Sequence, residues 1–216
     1  MTLFARLKGD NQSTWDGYIN HKFVTELAGG TLKTSSFKHY LSQDYLFLIH
    51  FARAYALAAY KADNLTDIRH AVTGLTAIVD IEMDLHVKFC AEWDLSEAKM
   101  EALPEAAETM AYTRYVLERG LSGDLLDLHV ALAPCIIGYA EIGSYFKDQV
   151  INNPFGAWIE MYASDEYQEL AKTEIKQLDK LMASRGGEGR FQALSKIFNQ
   201  ATRLEIAFWQ MSLNIE

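Results

Sequence analysis

Apolar side chains recur three and four positions apart along most of this chain, which is the period of amphipathic α-helices. Glycine pairs and small polar residues separate these windows and mark helix ends. The pattern predicts helices at about residues 14–27, 35–61, 67–89, 104–119, 124–150 and 191–213, a short segment after Pro154, and a helix capped at residues 164–166. The windows lack the turn spacing of a β-sandwich, so we expect an all-α fold.

Two acidic residues interrupt apolar helix faces. The predicted helix at 35–61 is apolar around most of its circumference, yet Asp44 lies in it one turn from Leu41 and Phe47. Glu205 has a similar place among apolar residues of the last helix. A carboxylate on such a face is costly to bury unless it is paired or hydrogen-bonded. Each acid is therefore a candidate either for function or for anchoring a neighbour.

A cysteine lies inside an apolar helical stretch near the middle of the chain. Cys135 and Tyr139 are four residues apart, so a helix places them on one face. Gly138 and Gly143 leave room for another element to approach that helix. The alternative is that Cys135 is a small core residue, as most helical cysteines are.

Composition is that of an ordinary globular protein. The chain has 216 residues, of which 50% are hydrophobic and 12% aromatic, and we expect one domain spanning residues 1–216. The net charge of -9 offers no basic surface for phosphates or anionic lipid. Neither nucleic acid nor a membrane is therefore an expected partner.

The cysteine count and the N-terminus predict a cytoplasmic location. Cys90 and Cys135 form no CxxC pair, and residues 1–6 lack the apolar core of a secretory signal. We find no run of about 18 apolar residues that would predict a membrane span.

Taken together, a thiol, two acids and several tyrosines predict a pocket for a small aromatic compound. A free thiol has a pKa of about 8.5 and must be activated, or helped by an acid, to attack a substrate at neutral pH. Aromatic walls suit a flat heterocycle by stacking.

Five dispersed motifs occur in order along the chain: His21-Lys22-Phe23 with Gly30 and Leu32; Phe37 to Asp44-Tyr45; Pro134-Cys135-Ile136-Ile137-Gly138-Tyr139 with Ile142-Gly143; Trp158-Ile159 with Tyr162; and Arg203-Leu204-Glu205 with Phe208-Trp209. In these motifs the chain resembles the TenA/thiaminase II family of heme-oxygenase-like helical proteins, over nearly its whole length. The resemblance implies a heme-oxygenase-like helical bundle that forms a homotetramer.

The resemblance implies a cysteine-dependent hydrolase of 5-substituted 4-amino-2-methylpyrimidines in thiamine salvage, acting without a cofactor or a metal. Such enzymes deaminate aminomethylpyrimidine or cleave thiamine. By this likeness Cys135 attacks the pyrimidine ring, Glu205 protonates a ring nitrogen, and Asp44 holds the amidine-like edge of the ring.

Further residues match substrate contacts of the family. Tyr139, Tyr162 and Tyr112 correspond to pocket tyrosines, and Phe208 is expected to stack on the pyrimidine. Phe47 stands where many members have a tyrosine whose hydroxyl is thought to help activate the thiol. This departure predicts a weakly activated cysteine.

Other functions stay open. Glu82 with His86, and Asp67 with His70, have helical spacing that suits a metal-dependent oxidase, although their charged neighbours favour solvated faces. A cofactor-free oxidase of the pyrroloquinoline quinone synthase group fits the acidic composition poorly. A non-catalytic regulator that binds a pyrimidine or thiamine is the alternative from a different class.

Overall fold

Helices and the turns that join them account for the whole described chain. The computed structural model describes residues 1–91 and 93–214, apart from the side chain of Leu85, and no strand occurs among these residues. The all-α prediction is confirmed.

The chain divides into two compact units. The first comprises residues 1–32 and 129–210, and the second comprises residues 33–128 and 211–216. The expectation of one domain over residues 1–216 stays a prediction, and residues 92, 215 and 216 lie outside the described part.

The first unit is built from short N-terminal helices and the long helices of the C-terminal half. Its helices are α1 (Leu3–Asp10), α2 (Gln12–Ile19), α3 (Lys22–Ala28), α10 (Gly156–Ala163), α11 (Asp165–Arg185), most of α9 (Leu125–Phe146) and most of α12 (Phe191–Leu213). The predicted helix at 14–27 is two helices, because the His21 side chain accepts a hydrogen bond from Phe23 N and caps α3. The predicted cap at Ser164 is confirmed, since its hydroxyl accepts from Tyr167 N.

The second unit is arranged around the longest helix. Its helices are α4 (Thr34–Lys61), α5 (Leu65–Thr76), α6 (Met83–Ala91), α7 (Glu97–Glu101) and α8 (Ala107–Ser122). α5 begins at Leu65, slightly before the predicted residue 67, because the side chain of the N-cap Asn64 accepts a hydrogen bond from Asp67 N. Gly74 lets α5 approach α4 closely, because a Cβ there would lie 2.2 Å from Tyr55 Cε1.

A π-helical segment, Ala77–Glu82, joins α5 to α6 where one continuous α-helix was predicted. From Gly74 onward the buried residues of this stretch recur every four positions, at Gly74, Ile78, Glu82, His86 and Cys90. Each step of four carries a side chain about 40° around an ideal α-helix. The wider π-turns absorb part of that drift, so the buried stripe stays directed into the unit.

α9 is the most apolar helix of the chain. Contrary to the sequence reading, residues Leu125–Gln149 are long and apolar enough to cross a membrane. However, 89% of the most apolar window is buried within the protein, as in the core helix of a soluble protein. Nothing in this helix therefore calls for a lipid environment.

Candidate active site

Cys135 lies on α9, directly after Pro134, and its side chain is 6% exposed. Tyr18 crosses the same turn and donates a hydrogen bond from Oη to the Pro134 carbonyl at 3.3 Å. Gly138 makes room for that ring, because a Cβ there would lie 2.3 Å from Tyr18 Cε1. The close approach predicted at Gly138 is thus present beside the thiol.

One helical turn after the cysteine, Tyr139 joins a buried aromatic cluster. Its ring centroid lies 4.8 Å from that of Tyr162, 5.3 Å from Trp209 and 5.7 Å from Trp158. The Trp158 and Tyr162 rings are 4.6 Å apart on α10. Aromatic side chains of α10 and α12 therefore surround Tyr139, one helical turn after Cys135.

The backbone of α10 presses directly on α9. A Cβ on Gly143 would lie 2.4 Å from the carbonyl carbon of Tyr162 and 2.6 Å from Ala163 N. Gln168 ties the two helices by donating from Nε2 to the carbonyls of Ala140 (2.7 Å) and Tyr162 (2.8 Å). These contacts hold Tyr162 in place relative to α9.

Glu205 is buried on α12, one turn before Trp209, whose ring contacts Tyr139. Phe208 is also buried on this helix. Trp209 stacks on Phe23 of α3, with centroids 4.9 Å apart. The first unit thus contains five of the predicted site residues: Cys135, Tyr139, Tyr162, Glu205 and Phe208.

The other three predicted residues, Asp44, Phe47 and Tyr112, lie in the second unit and are all buried. The ring centroids of Phe47 and Tyr112 are 4.9 Å apart, which joins α4 to α8. Phe47 also stacks on Phe51 at 5.0 Å. These rings form an aromatic wall one turn from Asp44.

Gln43, the neighbour of Asp44, holds the start of α8 against α4. Its Nε2 donates to the Pro104 carbonyl (3.1 Å), and its Oε1 accepts from Ala106 N (2.9 Å) and Thr109 Oγ1 (2.8 Å). Because these residues are anchored, α8 begins at Ala107 rather than at the predicted Pro104.

Asp44 makes a hydrogen bond that the sequence reading missed. Its Oδ2 lies 2.6 Å from His86 Nε2, and His86 Nδ1 lies 2.8 Å from the Glu82 carbonyl oxygen. Burial acts to lower the pKa of His86, but the hydrogen bond and charge of Asp44, with contributions from Glu82, outweigh it and raise that pKa.

The sequence predicts that two pairs, Glu82 with His86 and Asp67 with His70, lie on solvated helix faces. This prediction is wrong for three of the four residues. His86 has no exposed surface, and Glu82 and Asp67 are also buried. The spacing of the two residues is visible in the sequence, because the histidine follows the glutamate by four positions. The π-helix that turns both side chains inward, however, is not predicted by any recognisable sequence pattern. Two other histidines have polar partners: His129 Nδ1 lies 2.7 Å from Glu174 Oε1, and His50 contacts Arg114.

Comparison with known proteins identifies the fold of the chain and then its family. The chain has a heme-oxygenase-like fold, since a domain with that fold from Shewanella denitrificans superposes with a TM-score of 0.74 at 12% identity, covering 97% of this chain and 91% of that one. The chain belongs to the TENA/THI-4/PQQC family, whose model matches residues 10–215.

Two relatives match from end to end. An aminopyrimidine aminohydrolase of Halalkalibacterium halodurans is 38% identical, over 99% of this chain and 96% of the relative. A solved structure from Silicibacter sp., named a TenA family transcription regulator, is 42% identical with a TM-score of 0.94, covering 99% of this chain and 97% of that one. Both confirm the predicted family.

Proposed function

We propose that this protein hydrolyses 5-substituted 4-amino-2-methylpyrimidines in thiamine salvage, with Cys135 as the nucleophile. The observation that carries the proposal is a buried cysteine beside the aromatic cluster of Tyr139, Tyr162 and Trp158. End-to-end identity of 38% with an aminopyrimidine aminohydrolase supports the same reaction class.

For aminomethylpyrimidine the proposed reaction balances as follows. The Cys135 sulfur adds to a ring carbon while Glu205 gives a proton to a ring nitrogen, which relieves the negative charge that builds in the ring. The amino group on the neighbouring methylene takes up the Cys135 thiol proton and leaves as ammonia, with the ring electrons displacing it. Water then adds its hydroxyl to that methylene carbon and its remaining proton restores the thiol as the carbon–sulfur bond breaks, while the ring-nitrogen proton returns to Glu205. The products are hydroxymethylpyrimidine and ammonia.

The remaining site residues have binding roles in this proposal. Asp44 holds the amidine-like edge of the ring, and Phe208 stacks on its face. The family resemblance implies that Tyr139, Tyr162 and Tyr112 contact the substrate. Each of these side chains is buried, which supports a binding role for each.

A cytoplasmic location and a homotetrameric assembly also belong to the proposal. The family resemblance supports the tetramer, and the absence of CxxC spacing supports a reducing compartment. Light scattering of the purified protein tests the assembly, and a mass near that of four 24.5 kDa chains is the expected result.

The reaction is tested by incubating the protein with aminomethylpyrimidine and measuring ammonia. We expect release by the wild type, none above background by Cys135→Ser, and near wild-type release by the matched control Cys90→Ser. Ammonia production by Cys135→Ser at the wild-type rate contradicts the nucleophile, and no ammonia from the wild type contradicts the deaminase. Thiamine cleavage is followed separately by release of the thiazole alcohol.

A ligand-binding regulator is the second candidate, because the Silicibacter relative carries the name of a transcription regulator. Its prediction differs: the wild type binds hydroxymethylpyrimidine in calorimetry but releases no ammonia from aminomethylpyrimidine. The two assays together separate an enzyme from a sensor.

A further inference from the structure

The His86 ring lies between two oxygen atoms. Nδ1 faces the Glu82 carbonyl at 2.8 Å, and Nε2 faces Asp44 Oδ2 at 2.6 Å. His86 is fully buried on α6, and it comes 42 positions after Asp44 of α4. Among the described residues, the charged groups that face it are Asp44 and Glu82.

These contacts fix the tautomer of the imidazole. A carbonyl oxygen only accepts hydrogen bonds, so the contact at Nδ1 requires a hydrogen there. One further proton then lies between Nε2 and Asp44 Oδ2, either on the histidine beside a carboxylate or on the carboxyl beside a neutral imidazole. In both states Oδ2 is occupied by His86.

As a result, the second oxygen of Asp44, Oδ1, always acts as a hydrogen-bond acceptor. Within the described part of the chain, the Asp44 side chain hydrogen-bonds only to His86. Because the shared proton lies at Oδ2, Oδ1 is an acceptor whether it belongs to a carboxylate or to a carbonyl. Without His86, no partner holds Oδ2, so neither oxygen of Asp44 is fixed in the acceptor role towards the substrate.

We propose that His86 is a positioning residue that shares one proton with Asp44 Oδ2, so that Oδ1 stays an acceptor and selects pyrimidines with an amino group at ring position 4. This inference rests on the proposed function, in which Asp44 holds that edge of the ring. An exocyclic amino group donates to Oδ1, whereas a 4-methoxy group offers only acceptors and is rejected.

The π-helix supplies the geometry for this pairing. His86 follows Glu82 by four residues, and Glu82 is the last residue of the π-helical segment Ala77–Glu82. The π-helical turn therefore has two effects. It provides the carbonyl that accepts the hydrogen bond from Nδ1, and it rotates the helix so that the His86 ring faces α4.

The test compares His86→Ala, His86→Gln and the control His39→Gln, a half-buried histidine on the same helix as Asp44 that has no role in the proposal. We expect His86→Ala to raise the KM for aminomethylpyrimidine roughly tenfold, with a smaller change in kcat, since a charged hydrogen-bond partner is lost. His86→Gln keeps a donor towards Oδ2 and is expected to restore most of the KM. The control matches the wild type.

Two readouts separate positioning from a merely structural role. The first is the binding preference for hydroxymethylpyrimidine over its 4-methoxy analogue in calorimetry, which is expected to fall at least severalfold in His86→Ala. The second is the nitrogen-15 NMR spectrum of the wild-type histidines, in which Nδ1 of His86 is expected to carry a hydrogen throughout pH 6–9.

Each outcome decides the inference. An unchanged KM and preference in His86→Ala, a loss confined to kcat, or an unprotonated Nδ1 overturns it. If His86→Ala does not fold, His86→Gln and the wild-type spectrum decide. If the wild type releases no ammonia, the proposed function fails, while the spectrum and the binding preference still test the shared proton.

Discussion

Gly143 lies about two turns after Cys135 on α9, where the backbone of α10 comes close, which makes Gly143→Ala an informative perturbation. The new Cβ would lie 2.4 Å from the Tyr162 carbonyl carbon and 2.6 Å from Ala163 N. Carbon atoms in contact normally lie about 3.5–4.0 Å apart. Because the obstacle is backbone rather than the end of a flexible side chain, α9 and α10 must separate by about 1 Å.

The expected cost follows from three contributions. Overpacking costs about 1–3 kcal/mol, and weakening the two Gln168 hydrogen bonds that tie the helices adds about 1 kcal/mol. Alanine returns up to about 1 kcal/mol because it favours a helix more than glycine does. We therefore expect a net loss of about 1–4 kcal/mol in the free energy of unfolding, which lowers Tm by about 2–4 °C for each kcal/mol in a chain of this size.

Circular dichroism with thermal and urea unfolding measures this loss, and Gly9→Ala is the matched control. Gly9 is an exposed glycine of α1, and a Cβ there would meet nothing within 4 Å. The control is expected to unfold at the wild-type Tm or slightly above it. Since Tyr162 moves with α10, Gly143→Ala is also expected to weaken hydroxymethylpyrimidine binding. If Gly143→Ala were as stable as Gly9→Ala, the close approach of the two backbones would be refuted.

Three further predictions concern the thiols, the aromatic wall and pH. Iodoacetamide at pH 8 is expected to modify Cys135 before Cys90 in mass spectrometry, because burial raises the pKa of the Cys90 thiol to about 11; early labelling of Cys90 contradicts this. Phe47→Tyr is expected to raise the rate of aminomethylpyrimidine hydrolysis several-fold, because the family resemblance implies that a tyrosine hydroxyl at this position helps to activate the thiol, and an unchanged or lower rate counts against that role. Because the folded-state pKa of His86 is raised, its stabilisation is complete below the unfolded pKa of about 6.5 and is lost as pH rises through the folded value. Urea titrations should therefore show the advantage of wild type over His86→Gln declining, and never growing, as the pH rises above about 6.5, and an advantage that grows with pH would exclude the linkage to Asp44.

Much of the candidate site could be read from local sequence. The last helix was predicted at residues 191–213, and α12 is Phe191–Leu213. Helical spacing also placed Cys135 and Tyr139 on neighbouring turns of one buried helix, where the structure has them. These predictions succeeded because period, caps and burial depend on residues within a few turns.

The predicted helix boundaries are wrong where a side-chain contact, rather than a recognisable local capping signal, sets the end of the helix. The break between α2 and α3 depends on the His21 cap, and histidine is not among the favoured capping residues. The start of α8 depends on Gln43, which lies more than 60 residues earlier in the chain and binds the Ala106 amide. No window of the sequence around residue 106 contains that information.

The sequence alone determined that the chain is helical, that Asp44 and Glu205 occupy apolar surroundings, and that glycines open the cysteine helix to a neighbour. Only the tertiary structure decided what fills those openings and what pairs with Asp44. Its partner, His86, comes 42 positions later and beyond a π-helix that changes which side chains point inward. Helical periodicity reports which face is buried, but a hydrogen bond between two helices depends on their rotation and register, and these are set by packing across the whole unit.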